Sequence, residues 1–206
     1  MTRTQSPFRK MALAALLCAA GAANAGIVFA NSSAAIPGAV TDAFSNLTIN
    51  TFLGTSVPRS AGSLQYTLGS TVTNPDSGLF VVPIAGNVGV STNWSADSLT
   101  FGFTSQVFAF GGNFFATNVL GELTSGGMTI SVTDTSGTSL SQTLAGNSLT
   151  GFAGFRSDLP LASATVRLTS ASTDRWASAD NVVLSAVPEP QSLALVVLAG
   201  AIMLTV

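Results

Sequence analysis

The sequence predicts an all-β protein built as an antiparallel β-sandwich, on three observations. Apolar and polar residues alternate with period two in several stretches: Leu99, Phe101 and Phe103 against Thr100 and Gly102, and Met128, Ile130 and Val132 against Thr129, Ser131 and Thr133. Gly, Asn and Ser return between the apolar runs at the short spacing of a sandwich. No window of the central region sustains a helical period. Two packed sheets would then place alternate residues of each strand in a common core.

The chain divides into residues 1–25, a body over 26–186 and a tail over 187–206. The first segment carries Arg3, Arg9 and Lys10 ahead of the apolar run "MALAALLCAA" and ends in small residues at Ala23 and Ala25 before Gly26, the pattern of a secretory signal peptide cleaved after Ala25. Cys18 falls inside the apolar run after Leu16 and Leu17, which does not suit a lipid-attachment site. In the body, "AFSNLTINTF", "LQYTLGS" and "GLFVVPIA" read as early strands, followed by "SLTFGF" and "QVFAFGGNFF", the latter with Phe108 and Phe110 on one face. A hairpin is expected around Asp134 to Gly137, with Leu140 and Leu144 on its return strand. "SATVRLTS" puts Ala164, Val166 and Leu168 inward and Arg167 outward, and "NVVLSA" closes the domain. The phenylalanines from Phe101 to Phe115 are then mostly core, since each buried ring stabilises by about 1.5–3 kcal/mol.

Absences restrict the chemistry further. Charged residues make up 8% of the 206. Beyond residue 25 there is no Cys, His or Lys, which excludes Ser-His and Cys-His pairs, Schiff-base lysines, disulfides and His- or Cys-built zinc, copper or haem sites. Between residues 26 and 186 four arginines face eight acids, a balance that excludes a nucleic-acid partner. Carboxylate pairs are the remaining catalytic option, and they would serve glycoside hydrolysis. The acids, however, stand beside Gly, Ser, Asn and Thr, the company of turns. No catalytic residue is assigned, and the protein is expected not to be an enzyme.

The tail begins Val187, Pro188, Glu189, Pro190 and continues apolar from Leu193 to Val206. As a helix that run would span about 21 Å, less than the roughly 30 Å of a hydrocarbon core. "VPEPQSLALVV" resembles the PEP-CTERM sorting signal of Gram-negative bacteria. The family's Arg-rich end is absent after Val206, which reads as a chain cut short of it. The resemblance implies a short transmembrane helix, processing by an exosortase after signal peptidase has acted, transient membrane tethering, and export to the cell surface or extracellular matrix. "VFAFGGNFFATN", "GFAGFRSDLPLASATVRL" and "WASADNVVLSAVPEP" resemble the bodies of such secreted proteins. They imply a jelly-roll body like those of lectins and carbohydrate-binding modules, associated with exopolysaccharide or biofilm.

Candidate site residues are few. Trp176, beside Asp174 and Arg175, is the best aromatic platform for a sugar, and Asn113, after Gly111 and Gly112, offers an amide to a sugar hydroxyl. The glycines themselves suit a β-bulge or a sheet-crossing kink. Asp180, opening the last strand with Asn181, is a candidate oxygen ligand for a structural calcium ion, against the alternative of an Asx turn. Otherwise no cofactor is expected. Three function classes follow: a non-catalytic surface or matrix protein, a glycan-binding module, and a carboxylate glycosidase.

Overall fold

The computed structural model describes residues 26–145, 152–170 and 173–188. Gly26–Pro188 form one compact unit. Its described residues hold fourteen strands: β1 (Ile27–Ala30), β2 (Val40–Asp42), β3 (Phe52–Gly54), β4 (Ser56–Ala61), β5 (Leu64–Ser70), β6 (Leu79–Ile84), β7 (Asn87–Thr92), β8 (Leu99–Phe103), β9 (Ala109–Thr117), β10 (Met128–Asp134), β11 (Ser139–Leu144), β12 (Phe152–Ser157), β13 (Leu161–Leu168) and β14 (Trp176–Ser185). All the pairings are antiparallel. One sheet runs β1-β12-β9-β14-β7-β6-β3, with β2 added to the far half of β14; the other runs β11-β10-β13-β8-β5-β4.

The sandwich follows from the alternation. Leu99 and Phe101 of β8, Met128, Ile130 and Val132 of β10, and Ala164 and Val166 of β13 are all buried on the inner face of the six-stranded sheet. Phe110 and Phe114 of β9 and Ala177, Ala179, Val182 and Leu184 of β14 meet them from the eight-stranded sheet. The rings interlock: Phe110 lies 4.9 Å from Phe101, 5.5 Å from Phe103 and 5.8 Å from Phe114, tilted in each case. Such offset contacts favour the ring quadrupoles as well as burial. Phe115, one residue out of phase, faces the opposite side and packs with Val82 and Ile84 in a small second cluster, flanked by Phe80 and Leu123.

Gly111 and Gly112 sit mid-strand in β9, and their neighbours explain them. A Cβ on Gly111 would stand 2.6 Å from Phe152 Cζ and 2.9 Å from the Ala153 carbonyl oxygen. The irregularity lies on the neighbouring strand: β14 shifts register between Asp180 and Val183, and Asn181 takes a φ of 52° there. Asn tolerates that left-handed conformation better than most side chains.

Two expectations for the body need correction. "AFSNLTINTF" is not a strand, since only β2 before it and β3 at its end are extended. β4, with Pro58 and Arg59 in its middle, is a strand the pattern hid; it is the edge of its sheet, where the missing N–H of proline does no harm.

The expected flanking apolar helix is corrected as well. Among the described residues the only helix is one 3-10 turn at Ser33–Ala35, and none is long and apolar enough to cross a membrane. Val187, at the described end of the Val-Pro-Glu-Pro stretch, continues from β14 with its N–H donated to Ser185 Oγ at 3.0 Å. The signal segment with Ala23 and Ala25, and the tail with Glu189 and Pro190, lie outside the described residues. Hydropathy made the tail apolar, but apolarity alone gives neither a helix nor enough length to span a bilayer.

The β10–β11 hairpin stands where alternation and turn residues placed it. Gly137 N–H donates to Asp134 C=O and Asp134 N–H to Thr138 C=O, a tight turn with Gly137 at a φ of 88°. Asp134 Oδ1 accepts from Ser136 N–H, Ser136 Oγ and Thr138 N–H at 2.6–3.0 Å. Burial pushes this carboxyl up, yet the hydrogen bonds from Ser136, Thr138 and Gly137 outweigh it and hold it below the ordinary value of 3.8. Gly137→Val is expected to cost about 1–2 kcal/mol through left-handed strain alone, since no atom lies within 4 Å of the added Cβ. An unchanged urea midpoint would contradict it. Because the folded value is depressed, the stabilisation from Asp134 is complete above the unfolded carboxylate pKa and is lost as pH falls through the folded one. The gap in melting temperature between wild type and Asp134→Ala should therefore narrow in acid, and a gap independent of pH would rule this out.

Candidate functional site

Two concavities mark the surface, and they differ in what their polar groups are doing. The smaller, of about 280 Å³, lies on the eight-stranded sheet where β6, β7 and β14 run side by side; Asn50, Phe80, Val82, Ser91, Thr92, Asn93, Asn118, Val119 and Trp176 line it. Trp176 opens β14 opposite Thr117 of β9, and Ser178 pairs with Ser91 of β7, so strand register brings the indole beside the end of β7. Ala177 and Ala179 point into the core, so Trp176, out of phase with them, lies on the outer face of its sheet. The indole is half-buried, and its Nε1–H donates to the Asn93 carbonyl oxygen at 3.3 Å, which fixes the plane of the ring.

The amides around this ring are unequally committed. Asn118 is spent: its Oδ1 accepts from Leu120 and Glu122 N–H and its Nδ2 donates to Glu122 Oε2. Asn93 donates through Nδ2 to the Asp76 carbonyl, and its Oδ1 forms no hydrogen bond among the described residues. Asn50, held at a φ of 64°, donates only its backbone N–H, to Val81 C=O. Thr92 is 2% exposed and its Oγ1 has no hydrogen-bond partner. Thr92 pairs with Leu79 and keeps the phase of Val90, both core residues, so this hydroxyl faces the interior of the sandwich and not the cleft. None of the lining residues is ionisable.

The larger concavity, of about 760 Å³, opens where β2 of one sheet meets β4 and β5 of the other, and here the charges satisfy one another. Asp42 accepts from Arg59 Nε at 2.9 Å, Arg59 Nη2 at 2.6 Å, Tyr66 Oη at 2.7 Å and Phe44 N–H at 3.0 Å. Arg59 Nη2 also donates to Asn46 Oδ1 at 2.9 Å, and the guanidinium stands 5.2 Å over the Phe44 ring. Burial, reinforced by the Asp42 charge and hydrogen bond, pushes the Tyr66 phenol far up. For Arg59 burial acts downward, but the bonds and charge of Asp42 outweigh it and the guanidinium is raised. Neither group changes protonation in any ordinary range.

The acids are similarly tied elsewhere. Asp97, 1% exposed, accepts from Ser70 Oγ, Thr73 N–H and Thr73 Oγ1 and anchors the 71–78 loop. Asp158 Oδ2 accepts from Gly26 N–H.

Of the residues singled out from sequence, Trp176 lines the smaller cleft and Asn113 does not. Asn113 sits mid-sheet in β9, paired with Phe152 and Asp180. Asp180 is 3% exposed, and its oxygens accept from Asn181 N–H at 2.6 Å and Asn181 Nδ2 at 2.9 Å. Burial raises its carboxyl above the ordinary value despite hydrogen bonds from Asn181 and Asn87. No group of three His, Cys, Asp or Glu suited to a metal ion occurs among the described residues. A calcium ion needs six to eight oxygens, and Asp180 directs its own at adjacent amides. Thr92, Asn50 and Arg59 carried no sequence signal, because each acquires its meaning from strands distant in the chain.

No family model matches the chain, and no curated protein matches it. The resemblance to the PEP-CTERM family is therefore corrected, and with it exosortase and signal peptidase as partners, membrane tethering, and the export and cell-surface location drawn from it. A four-residue Val-Pro-Glu-Pro stretch beside an apolar run is too short to define a family by itself. Two solved structures match weakly. One is a carbohydrate-binding module described as TmCBM61 in complex with β-1,4-galactotriose, at 14% identity and a TM-score of 0.31, over 57% of this chain and 81% of that one. The other is the enzymatically active domain of bacteriophage CBA120 tailspike protein 4, at 17% identity and a TM-score of 0.25, over 69% of this chain and 20% of that one. Likeness at this level carries no argument about function.

The cluster around Asp42 makes a graded expectation. Arg59→Met leaves a buried carboxylate without its cation and should cost about 3–5 kcal/mol in urea unfolding. Tyr66→Phe removes one of four donors and should cost about 1.5–3 kcal/mol. Equal losses, or none, would show that the cluster does not hold the two sheets together.

Proposed function

We propose that the protein is a non-catalytic glycan-binding module and that the cleft beside Trp176 is where a sugar ring binds. The supporting observation is the pairing of a half-buried indole with uncommitted neutral polar groups, Asn93 Oδ1 and the Asn50 amide, in a cleft without charge. A pyranose presents an apolar C–H face and a rim of hydroxyls; Trp176 and Phe80 suit the first, and amides, which both donate and accept, suit the second. At about 280 Å³ the cleft is slightly below the range of roughly 300–1,000 Å³ for small-molecule sites, in keeping with one or two rings of a longer chain. Hydrolysis would require a carboxylate pair flanking the bound bond. The cleft has none in its lining, and this supports binding without turnover.

In a Trp94→Phe background, so that Trp176 reports alone, titration with neutral oligosaccharides of about four hexoses, cello-, xylo-, manno- and galacto-linked, should give a saturable fluorescence shift with at least one. Calorimetry should then show that Trp176→Ala weakens that ligand by about 2 kcal/mol, or about thirtyfold, while Trp94→Phe does not. Binding unaffected by Trp176→Ala would remove this cleft from the reading, and reducing ends released on prolonged incubation would make the protein a hydrolase.

A further inference from the structure

The larger groove is a second place for the same kind of ligand, and it rests on the glycan-binding reading above. Asp42 pairs with Val182 of β14, an inward-facing residue, and Arg59 and Tyr66 lie opposite each other on β4 and β5. Asp42, Arg59 and Tyr66 stand between the sheets, while Ser60, Gln65 and Thr67, out of phase with Arg59 and Tyr66, are exposed on the outer face of β4 and β5, so the groove wraps the β4 edge, far along β14 from the Trp176 cleft. Val182 lies six residue steps along β14 from Trp176, about 20 Å of strand.

The groove's chemistry is neutral but unsaturated. Around the Asp42–Arg59 pair stand Ser45, Asn46, Ser60, Gln65, Thr67 and Thr104, all hydrogen-bonding and uncharged. Arg59 spends Nε on Asp42 and Nη2 on Asp42 and Asn46, and Nη1 makes no hydrogen bond among the described residues. The Gln65 amide makes none either; only its backbone is engaged, by Ser105 Oγ and by strand pairing. Fixed donors around an internally cancelled charge favour a neutral, hydroxyl-rich ligand. A carboxylate approaching Nη1 would meet a cation already neutralised by Asp42, 2.6 Å from the same guanidinium.

We infer that the groove at Arg59 along the β4 edge is a second glycan site, for a neutral polysaccharide, and that with the Trp176 cleft it makes one molecule bivalent. Two mouths on different faces engage two glycan strands and cross-link them, with a gain in avidity that a single site cannot supply.

The test leaves Asp42, Arg59 and Tyr66 intact. Ser60→Phe fills the exposed rim of the groove, Gln65→Ala removes a contact, and each is first checked for a wild-type melting temperature. With the neutral tetrasaccharide bound best, calorimetry should give two sites for wild type, one for Ser60→Phe, one for Trp176→Ala and none for the double variant. Gln65→Ala should weaken one site by about tenfold, and the matching polymer should turn turbid with wild type only. If Ser60→Phe and Gln65→Ala bind like wild type while Trp176→Ala abolishes all binding, the second site is wrong and the first stands. If Trp176→Ala changes nothing and Ser60→Phe abolishes binding, the groove stands and the Trp176 cleft falls. Absence of binding in every form removes both. Two sites without turbidity would mean that one strand spans both, overturning the cross-link, and preference for a uronate polymer over the neutral one would overturn the ligand class.

Discussion

A single carboxylate, Asp42, holds the edge of this sandwich closed. It belongs to the eight-stranded sheet through the pairing of β2 with β14, and three of its four donors, Arg59 Nε, Arg59 Nη2 and Tyr66 Oη, belong to the other sheet. Apolar contacts between sheets are strong but have little directional preference. A bidentate guanidinium bond allows one register only. Phe44 adds to this from just beyond β2, fully buried, under the guanidinium, with its N–H on the same carboxylate. In a body without cysteine, this polar clamp ties β2 of one sheet to β4 and β5 of the other.

The remaining polar groups fall into two populations. Asp134 and Asn118 close turns within a few residues, Asp97 ties a loop to residues 70–73, and Asp158 ties a strand end. At the two concavities the opposite holds: backbone geometry presents side chains whose hydrogen-bonding capacity is partly unspent, beside an aromatic ring in one and a neutralised ion pair in the other. Asn50, Ser60, Gln65 and Thr104 are exposed, so water takes up this capacity until a ligand displaces it. Their gathering in concave surfaces, with no ionisable group in one and a cancelled pair in the other, supports contact with neutral molecules.

Legibility in the sequence followed the range of the interaction. Period-2 alternation is local, and β8, β10, β13 and the Asp134–Gly137 turn were readable from it. β4 was hidden because Pro58 and Arg59 interrupt a strand whose inward position is filled by an arginine, a choice that makes sense only once Asp42 stands opposite. Trp176 was found because an aromatic beside charges in a loop is conspicuous by composition. Its partners Asn93 and Asn50 were not, since strand pairing across β6, β7 and β14 assembles them. The tail misled because an apolar run and a proline motif are both low in information, and joining them suggested a family where no family model matches.

The scarcity of cations carries a consequence for how the folded molecule meets proteases. An enzyme that cuts after basic residues has only Arg59, Arg156, Arg167 and Arg175 to choose from among the described residues. The first three lie inside paired strands, opposite Tyr66, Ala109 and Thr129 respectively, and their backbones cannot enter an extended active-site groove without unzipping a sheet. Arg175 alone stands in an irregular segment, its Nη1 bound to the Ser125 carbonyl oxygen at 2.7 Å. A nick there would sever the chain just ahead of β14, a strand gripped by β9, β7 and β2, so the two fragments would stay together through backbone hydrogen bonds and core burial. The fold is thereby resistant to this class of digestion without any covalent cross-link.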